Sequence, residues 1–215
     1  MKILFAGGGT AGHINPALAV AGYIKEKHHD AEISYIGTAD KLEAKLVPEK
    51  GYDFHTINVA GFQRKLSLKN IARNINAVGK AVSSSLDSKK ILKEINPDIV
   101  VGTGGYVSGP VTMAAKAMKV PSLIHEQNVY PGLTVKGSEK YVNYLAVSFD
   151  ETVKLMNNSP KCVVTGNPIR EELLSADRKK ARAELNINKP FVLIFGGSLG
   201  ADKINNTVLG IIERI

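Results

Sequence analysis

The sequence predicts an α/β fold with a Rossmann-like parallel sheet: a complete N-terminal domain and the first part of a second Rossmann-like domain. Short apolar runs alternate with helical patterns, and Pro48, Pro97 and Pro121 fall at the boundaries between them. Apolar runs without polar alternation are typical of parallel strands that helices cover on both faces. A strand, a glycine turn and a helix follow one another near both ends of the chain, which favours two related units.

The predicted elements continue this alternation along the whole chain. Strands are predicted at residues 3–6, 32–37, 53–59, 99–102, 122–125, 144–148, 162–165 and 191–196. Helices are predicted at residues 13–27, 41–50, 68–95, 107–118, 133–141, 150–156, 176–185 and 202–214. A break at Asn167-Pro168 divides a first domain, residues 1–166, from a linker and the start of a second, residues 167–215.

The composition is that of an ordinary globular protein and excludes several other classes. Of the 215 residues, 44% are hydrophobic and 22% are charged, and no apolar run reaches the length of a membrane span. We expect no secretory leader, because the first apolar run is short and leads directly into glycines. Cys162 is the single cysteine, so we expect a cytoplasmic location, no disulfide framework and no cysteine metal site.

Positive charge is concentrated in one segment. The net charge is +8, and residues 61–93 contain eight Lys and Arg residues but one acid, Asp87. The apolar and basic residues at the start of this segment are Phe62, Arg64, Lys65, Leu68, Lys69, Ile71, Arg73 and Ile75. The apolar positions have the spacing of a core-facing helix, yet the basic neighbours also fit a helix that docks on an anionic membrane surface. Charge alone leaves a solvated face equally open.

The first glycine turn, residues 7–12, is the strongest indication of a ligand. It leads from a strand to a helix N-terminus, where backbone N–H groups favour an anion. The turn matches the dinucleotide pattern, but the second strand ends without the acid that binds a ribose, and no Lys follows Gly12 as in a nucleotide hydrolase. His13 begins the helix and is a candidate general base or phosphate contact, with a simple helix cap as the alternative.

Three later segments follow strand ends, where ligands of parallel sheets bind. Residues 102–110 are rich in glycine and suit a tight turn or a second anion contact, with Tyr106 at the cleft rim or in the core. The polar run at residues 125–128 suits a hydroxylated ligand, with Asn128 as a turn residue in the alternative interpretation. Arg170 could reach a phosphate or lie on an ordinary surface.

Five separated motifs together resemble those of the MurG family of bacterial glycosyltransferases. They are GGGTAGHINP at 7–16, GTGGYVSGP at 102–110, HEQN at 125–128, GNPIR at 166–170 and GGSLGA at 196–201. The resemblance implies the GT-B architecture and an inverting transfer of GlcNAc from UDP-GlcNAc. The acceptor would be the MurNAc C4 hydroxyl of lipid I, undecaprenyl-diphospho-MurNAc-pentapeptide, and the product lipid II of peptidoglycan synthesis.

The same resemblance implies a setting and a role for individual residues. The protein would be peripheral on the cytoplasmic face of the cell membrane, against its anionic surface, with no metal, no cofactor and no nucleic-acid partner. His13 is the candidate base and Glu126 a second catalytic candidate. The residues that would contact the donor are Thr10, Ala11, Gly12, Asn128, Arg170 and Ser198. The residues that would form the acceptor and diphosphate cleft are Gly7, Gly8, Gly9, Gly104, Gly105, Tyr106, His125, Gln127 and Asn205.

The sequence departs from the family pattern at two positions and in its length. Ala11 and Val135 stand where the family usually has glycine and asparagine, and Val135 removes a polar residue from the cleft. The chain ends after the first strand and helix of the donor domain, so we expect little or no transferase activity from it. A non-catalytic, membrane-associated acceptor-binding module is the second interpretation. A nucleotide-binding oxidoreductase is the third, and the missing ribose acid counts against it.

Overall fold

The computed structural model describes residues 1–59, 68–196 and 201–212, with the backbone alone for residues 68–78. The chain forms two compact units, Met1–Glu171 and Glu172–Ile215. A seven-stranded parallel sheet lies in the first unit, and the described part of the second contains short helices. The α/β class and the parallel sheet are therefore confirmed.

The order of the strands places a crevice at the middle of the sheet. The strands are β1 (Lys2–Ala6), β2 (Glu32–Gly37), β3 (Asp53–Thr56), β4 (Ile99–Gly102), β5 (Ser122–Glu126), β6 (Tyr144–Val147) and β7 (Cys162–Val164). They are ordered β3-β2-β1-β4-β5-β6-β7, so the chain direction across the sheet reverses between β1 and β4. Ala6 lies opposite Gly102 at the carboxyl ends of these two strands. Ligands of open parallel sheets bind at such a reversal.

The helices cover both faces of the sheet. They are α1 (Ala11–Lys27), α2 (Glu43–Glu49), α3 (Leu68–Ile95), α4 (Gly105–Ala117), α5 (Leu133–Ser138), α6 (Asp150–Leu155), α7 (Glu171–Leu174), α8 (Arg178–Glu184) and α9 (Asp202–Ile212). None of the helices in the described ranges combines the length and the apolar composition that crossing a bilayer requires.

Alternation along β1 divides the core into two layers. Ile3 and Phe5 pack with Ile14 of α1 on one face, whereas Leu4 and Ala6 pack with Val107 of α4 on the other. Successive side chains of a strand point to opposite faces, so an apolar strand must be covered on both sides. This packing fixes the starts of α1 and α4 above the carboxyl ends of β1 and β4.

The structure corrects several predicted elements. Residues 191–196 form no strand, and the side chains of Phe191 to Phe195 are at least half exposed. A parallel strand needs a neighbour to accept and donate its backbone hydrogen bonds, and the described part of the second unit contains no other strand. The predicted strand at 53–59 ends at Thr56, and the predicted helix at 133–141 ends at Ser138. The helix α7 was not predicted.

Candidate functional site

A cleft of about 1700 Å³ opens at the carboxyl ends of β1 and β4. One wall contains the first glycine turn and residues 38–43, and the other contains residues 126–135. Ten predicted site residues line it: Gly8, Gly9, Thr10, His13, Gly104, Gly105, Tyr106, Glu126, Gln127 and Asn128. Residues more than a hundred positions apart in sequence therefore meet at one site.

Close packing forces glycine at several positions of the first turn. Gly9 has a φ of +87°, a conformation that L side chains rarely adopt. A Cβ on Gly8 would overlap the Glu43 carboxylate, and one on Gly7 would overlap the Thr103 hydroxyl. The backbone of this turn is consequently held directly against buried polar groups.

The second glycine turn, Gly104 and Gly105, packs against the first. Both residues have positive φ, +98° and +73°, and a Cβ on Gly105 would overlap the Gly8 carbonyl oxygen. A Cβ on Gly104 would lie 2.8 Å from His13 Cδ2 and 3.1 Å from His13 Nε2. The buried Ser108 hydroxyl accepts the Gly104 N–H at 3.0 Å and lies 2.7 Å from the Ala6 carbonyl oxygen, which ties this turn to β1.

Two helix N-termini meet at the floor of the cleft. The helices α1 and α4 begin at the two glycine turns, and neither has an acidic residue in its first turn. Thr10, which precedes α1, makes no side-chain hydrogen bond to the helix backbone, and Gly104, which precedes α4, has no side chain that could make one. The first N–H groups of a helix have no intrahelical acceptor and carry partial positive charge, so this floor suits an anion.

His13 is half-buried. Its Nδ1 is hydrogen bonded, and its Nε2 lies near the second glycine turn. Its Nδ1 lies 3.1 Å from the Gly8 carbonyl oxygen and 3.3 Å from the Thr10 hydroxyl. A carbonyl oxygen can only accept, so this contact requires the proton on Nδ1. The Nε2 edge of the neutral ring then carries a lone pair beside Gly104, where a proton acceptor can meet a ligand.

Glu43 was not predicted and is fully buried at the base of the first wall. Its carboxylate accepts hydrogen bonds from the Gly9 N–H at 3.0 Å, the Thr38 N–H at 3.1 Å and the Thr38 hydroxyl at 2.9 Å. Glu43 shares a helix face with Leu46 and Val47, which belong to the core. An acid at this 3-4 spacing within an apolar stripe is the sequence signal that could have identified it.

Glu126, predicted as catalytic, is almost fully buried and organises the second wall. One carboxylate oxygen accepts the backbone and side-chain N–H groups of Asn128, both at 2.9 Å. The other accepts the Gly132 N–H at 2.8 Å. These bonds close the loop that leads into α5, because a buried carboxylate must satisfy its oxygens locally when no cation is in contact.

His125 lies beneath the second wall and joins two backbone segments. Its Nε2 donates to the Gly166 carbonyl oxygen at 3.0 Å, and its Nδ1 accepts from the Gln127 amide at 3.0 Å. The same Gln127 amide donates to the Thr103 carbonyl oxygen at 2.9 Å. Burial lowers the pKa of His125 below its ordinary value, although the Gly166 carbonyl and Glu126 act in the opposite direction.

The remaining predicted residues are less central. Gly7 is buried at the start of the first turn, Ala11 and Gly12 begin α1, and Arg170 is exposed after β7. Val135 is buried at the end of the second wall, where it lines the cleft and packs with Ile124. Asn205 is exposed on α9 in the second unit.

Several predictions lie outside the described residues. These are the donor contact at Ser198 and the membrane residues Phe62, Arg64 and Lys65. Leu68, Lys69, Ile71, Arg73 and Ile75 lie in the part of α3 whose backbone alone is described. Within the described ranges, no group of three or more His, Cys, Asp or Glu side chains is arranged to hold a metal ion.

Comparison with known proteins identifies relatives over the whole chain. The family model for the glycosyltransferase family 28 N-terminal domain matches residues 3–147. A UDP-N-acetylglucosamine–N-acetylmuramyl-(pentapeptide) pyrophosphoryl-undecaprenol N-acetylglucosamine transferase of Ruminiclostridium cellulolyticum is 48% identical over 216 aligned positions, 100% of this chain and 58% of that protein. The enzyme of the same name from Acetivibrio thermocellus is 49% identical with the same coverage. The chain thus spans 58% of the length of these curated relatives.

Solved structures agree with the sequence relatives. The crystal structure of Acinetobacter baumannii MurG matches with a TM-score of 0.72 and 27% identity, over 100% of this chain and 55% of that chain. UDP-GlcNAc 2-epimerase from Neisseria meningitidis, bound to UDP-GlcNAc, matches with a TM-score of 0.55 and 19% identity, over 87% of this chain and 51% of that chain. The second similarity is one of fold alone.

Proposed function

The chain belongs to glycosyltransferase family 28, and from that premise we propose that its first unit binds the sugar acceptor of an inverting GlcNAc transferase of peptidoglycan synthesis. One observation carries the proposal. His13, in the first turn of α1, has its Nδ1 against Gly8 of the first glycine turn and its Nε2 beside Gly104 of the second, so a proton acceptor and two helix N-termini share one cleft. An acceptor that carries both a hydroxyl and a diphosphate fits this combination.

The substrates are proposed from the names of the relatives. The donor is UDP-GlcNAc, and the acceptor is undecaprenyl-diphospho-MurNAc-pentapeptide, which gives lipid II when its MurNAc C4 hydroxyl receives GlcNAc. UDP-GlcNAc is a substrate of this reaction, so we propose no additional cofactor. The predicted donor contacts Thr10, Ala11, Gly12, Asn128, Arg170 and Ser198 remain part of the proposal.

The reaction requires one proton transfer and one displacement at the sugar. His13 Nε2 takes the proton of the acceptor C4 hydroxyl as that oxygen attacks C1 of GlcNAc. The bond between C1 and the UDP oxygen breaks, and UDP leaves with the electron pair, so the configuration at C1 inverts. His13 Nδ1 keeps its proton throughout and donates it in a hydrogen bond to the Gly8 carbonyl oxygen, which orients the ring.

The acceptor diphosphate is proposed to lie over the first turns of α1 and α4. The Gly9 N–H is already donated to Glu43, so it is not available to a phosphate. The donors at hand are the first N–H groups of the two helices, where no acidic side chain competes. Glu126 is proposed to hold the Asn128–Gly132 loop rather than to transfer a proton, because its oxygens already accept three hydrogen bonds.

A lipid-linked acceptor places the protein at a membrane. We propose peripheral association with the anionic cytoplasmic face of the cell membrane through the basic segment at residues 61–93. Flotation with vesicles that contain anionic lipid tests this location. Binding is expected to fall as salt rises, and failure to bind at low salt would contradict it.

Acceptor binding by the 215-residue chain is the direct test of the cleft. We expect calorimetry to detect a short-chain analogue of the diphospho-MurNAc-pentapeptide lipid, and the same sugar-peptide without the diphosphate to bind at least about tenfold more weakly. Equal affinity for the two compounds would contradict the diphosphate site.

Two tyrosines of similar exposure, one in the cleft and one outside it, provide a test variant and its matched control. Tyr106 lines the cleft and is half exposed, so Tyr106→Ala is expected to weaken acceptor binding about fivefold without unfolding the chain. Tyr23 is similarly exposed on α1 but does not line the cleft, so Tyr23→Ala is expected to leave binding unchanged. Equal effects of the two substitutions would place the acceptor elsewhere.

A further inference from the structure

Both ends of the peptide group between Gly8 and Gly9 are hydrogen bonded to ionisable side chains. Its N–H donates to Glu43 Oε2 at 3.0 Å, and its carbonyl oxygen lies 3.1 Å from His13 Nδ1. A buried carboxylate is therefore connected to the candidate base through one planar peptide. The positive φ of Gly9 and the glycine at position 8 permit this arrangement, since a Cβ on Gly8 would overlap the Glu43 carboxylate.

We infer that Glu43 is a positioning residue for His13 and acts through the Gly8–Gly9 peptide. The inference rests on the proposed function, in which His13 accepts the proton of the acceptor hydroxyl. Glu43 has no direct contact with the ring in the described residues. Its effect is to fix which nitrogen of His13 carries the proton.

The physical basis is polarisation of a hydrogen-bonded chain. A carboxylate that accepts from a peptide N–H draws positive charge toward the nitrogen and leaves the carbonyl oxygen a stronger acceptor. Glu43 is fully buried, so water screens this charge poorly. The strengthened Gly8 carbonyl oxygen holds the Nδ1 proton of His13 and leaves the lone pair on Nε2.

The neighbouring hydroxyl does not decide the tautomer. Thr10 Oγ1 lies 3.3 Å from His13 Nδ1, and a hydroxyl can donate or accept there. The Gly8 carbonyl oxygen can only accept, so the proton position depends on how strongly that oxygen competes. Weakening the Glu43 bond should therefore shift the neutral ring toward the form with the proton on Nε2, which cannot act as the base.

Nitrogen NMR of the 215-residue chain with ¹⁵N-labelled histidine tests the inference without any substrate. At pH 8 we expect His13, assigned with a His13→Gln variant, to show about a tenfold excess of the tautomer with the proton on Nδ1. Glu43→Gln removes the negative charge that polarises the Gly8–Gly9 peptide, whichever way the amide is oriented, and the excess is expected to fall about fivefold. A predominant Nε2–H tautomer in the unmodified chain would overturn the inference, as would an unchanged ratio in Glu43→Gln.

Asp40→Asn is the matched control for charge. Asp40 is exposed just before α2 and pairs with Lys41 at 2.8 Å, so Asp40→Asn removes the same charge without touching the Gly9 N–H. We expect its tautomer ratio to match the unmodified chain, and an equal shift in the two variants would overturn the role of the peptide. If Glu43→Gln does not fold, Glu43→Asp keeps the charge but shortens the side chain by one methylene and draws the carboxylate away from the Gly9 N–H, and an unchanged ratio there would also overturn the inference.

The outcome is separable from that of the proposed function. The tautomer ratio reports on the free chain, whereas acceptor binding and transfer report on the cleft with its ligands. A tautomer shift together with absent acceptor binding would support the coupling of Glu43 to His13 and contradict the proposed function. Acceptor binding with no tautomer shift would support the proposed function and contradict the coupling of Glu43 to His13.

Discussion

Glu43 and Glu126 are both buried acids of the same cleft, but they differ in where their hydrogen bonds lead. Each carboxylate accepts three hydrogen bonds from N–H or O–H groups. The partners of Glu126 lie within six residues of it, so its bonds close one local loop. Glu43 reaches Gly9, 34 residues away in sequence, and the peptide that it holds contacts His13.

The difference shows that burial and residue type do not assign a catalytic role. A carboxylate whose partners all belong to one loop shapes that loop. A carboxylate whose partner peptide also contacts an imidazole can change the state of that imidazole. What distinguishes the two acids is what else their hydrogen-bonded partner groups contact. Neither the burial nor the residue type of the acid reveals this.

A substitution that separates the two glycine turns is expected to have the largest effect on the cleft. Gly105→Ala adds a Cβ against the Gly8 carbonyl oxygen at a residue with a φ of +73°. We expect a loss of about 3 kcal/mol in the free energy of unfolding, from backbone strain and from overlap with an atom that cannot rotate away. Urea denaturation of the 215-residue chain measures the loss.

The control for this substitution lies in α1. Gly22 is exposed within α1, and apart from the backbone of its own stretch of helix no atom lies within 4 Å of the position that a Cβ would take. Gly22→Ala is expected to stabilise the chain by about 1 kcal/mol, because alanine favours the helix. A loss at Gly105 no larger than about 1 kcal/mol would mean that the two turns are not held in contact.

Glu126→Gln is expected to have a smaller effect that stays local. The amide keeps one acceptor oxygen, so at least one of the Asn128 and Gly132 N–H groups loses its partner. We expect a loss of about 2 kcal/mol in the free energy of unfolding, with no change in the His13 tautomer ratio. Glu94→Gln, on the exposed side of α3, should leave stability unchanged. A tautomer shift in Glu126→Gln would remove the contrast with Glu43.

The central strands of the sheet could be predicted because helices cover them on both faces, which requires continuous apolar runs. The strands β2 and β4 begin and end where the apolar runs predict, and so does the long helix α3. The predicted strand at residues 191–196 has the same composition but remains exposed. The sequence of a segment sets its preference for the strand conformation. A β-ladder also requires a neighbouring strand, which the segment itself cannot supply.

The candidate site was predictable where its residues follow strand ends, and less so where they lie elsewhere. Gly8, His13, Gly104 and Asn128 all line the cleft, because the carboxyl ends of parallel strands share one edge of the sheet. Glu43 was missed because it begins a helix and does not directly follow a strand end, and its partners become neighbours only through the pairing of β1 with β2. No spacing rule connects Gly9 to a side chain 34 residues away.

The second wall should also be sensitive to acid, through His125. Burial lowers the pKa of this histidine below its ordinary value of 6.5, so on acidification the unfolded chain takes up the proton first. Stability from His125 is therefore complete above pH 6.5 and is lost as the pH falls from there through the lowered pKa of the folded chain. We expect His125→Gln to flatten the fall in unfolding free energy below pH 6.5, and His29→Gln, an exposed histidine, to leave it unchanged. An unchanged slope in His125→Gln would mean that the bond from His125 to Gly166 does not depend on the neutral ring, because imidazolium can donate to that carbonyl equally well.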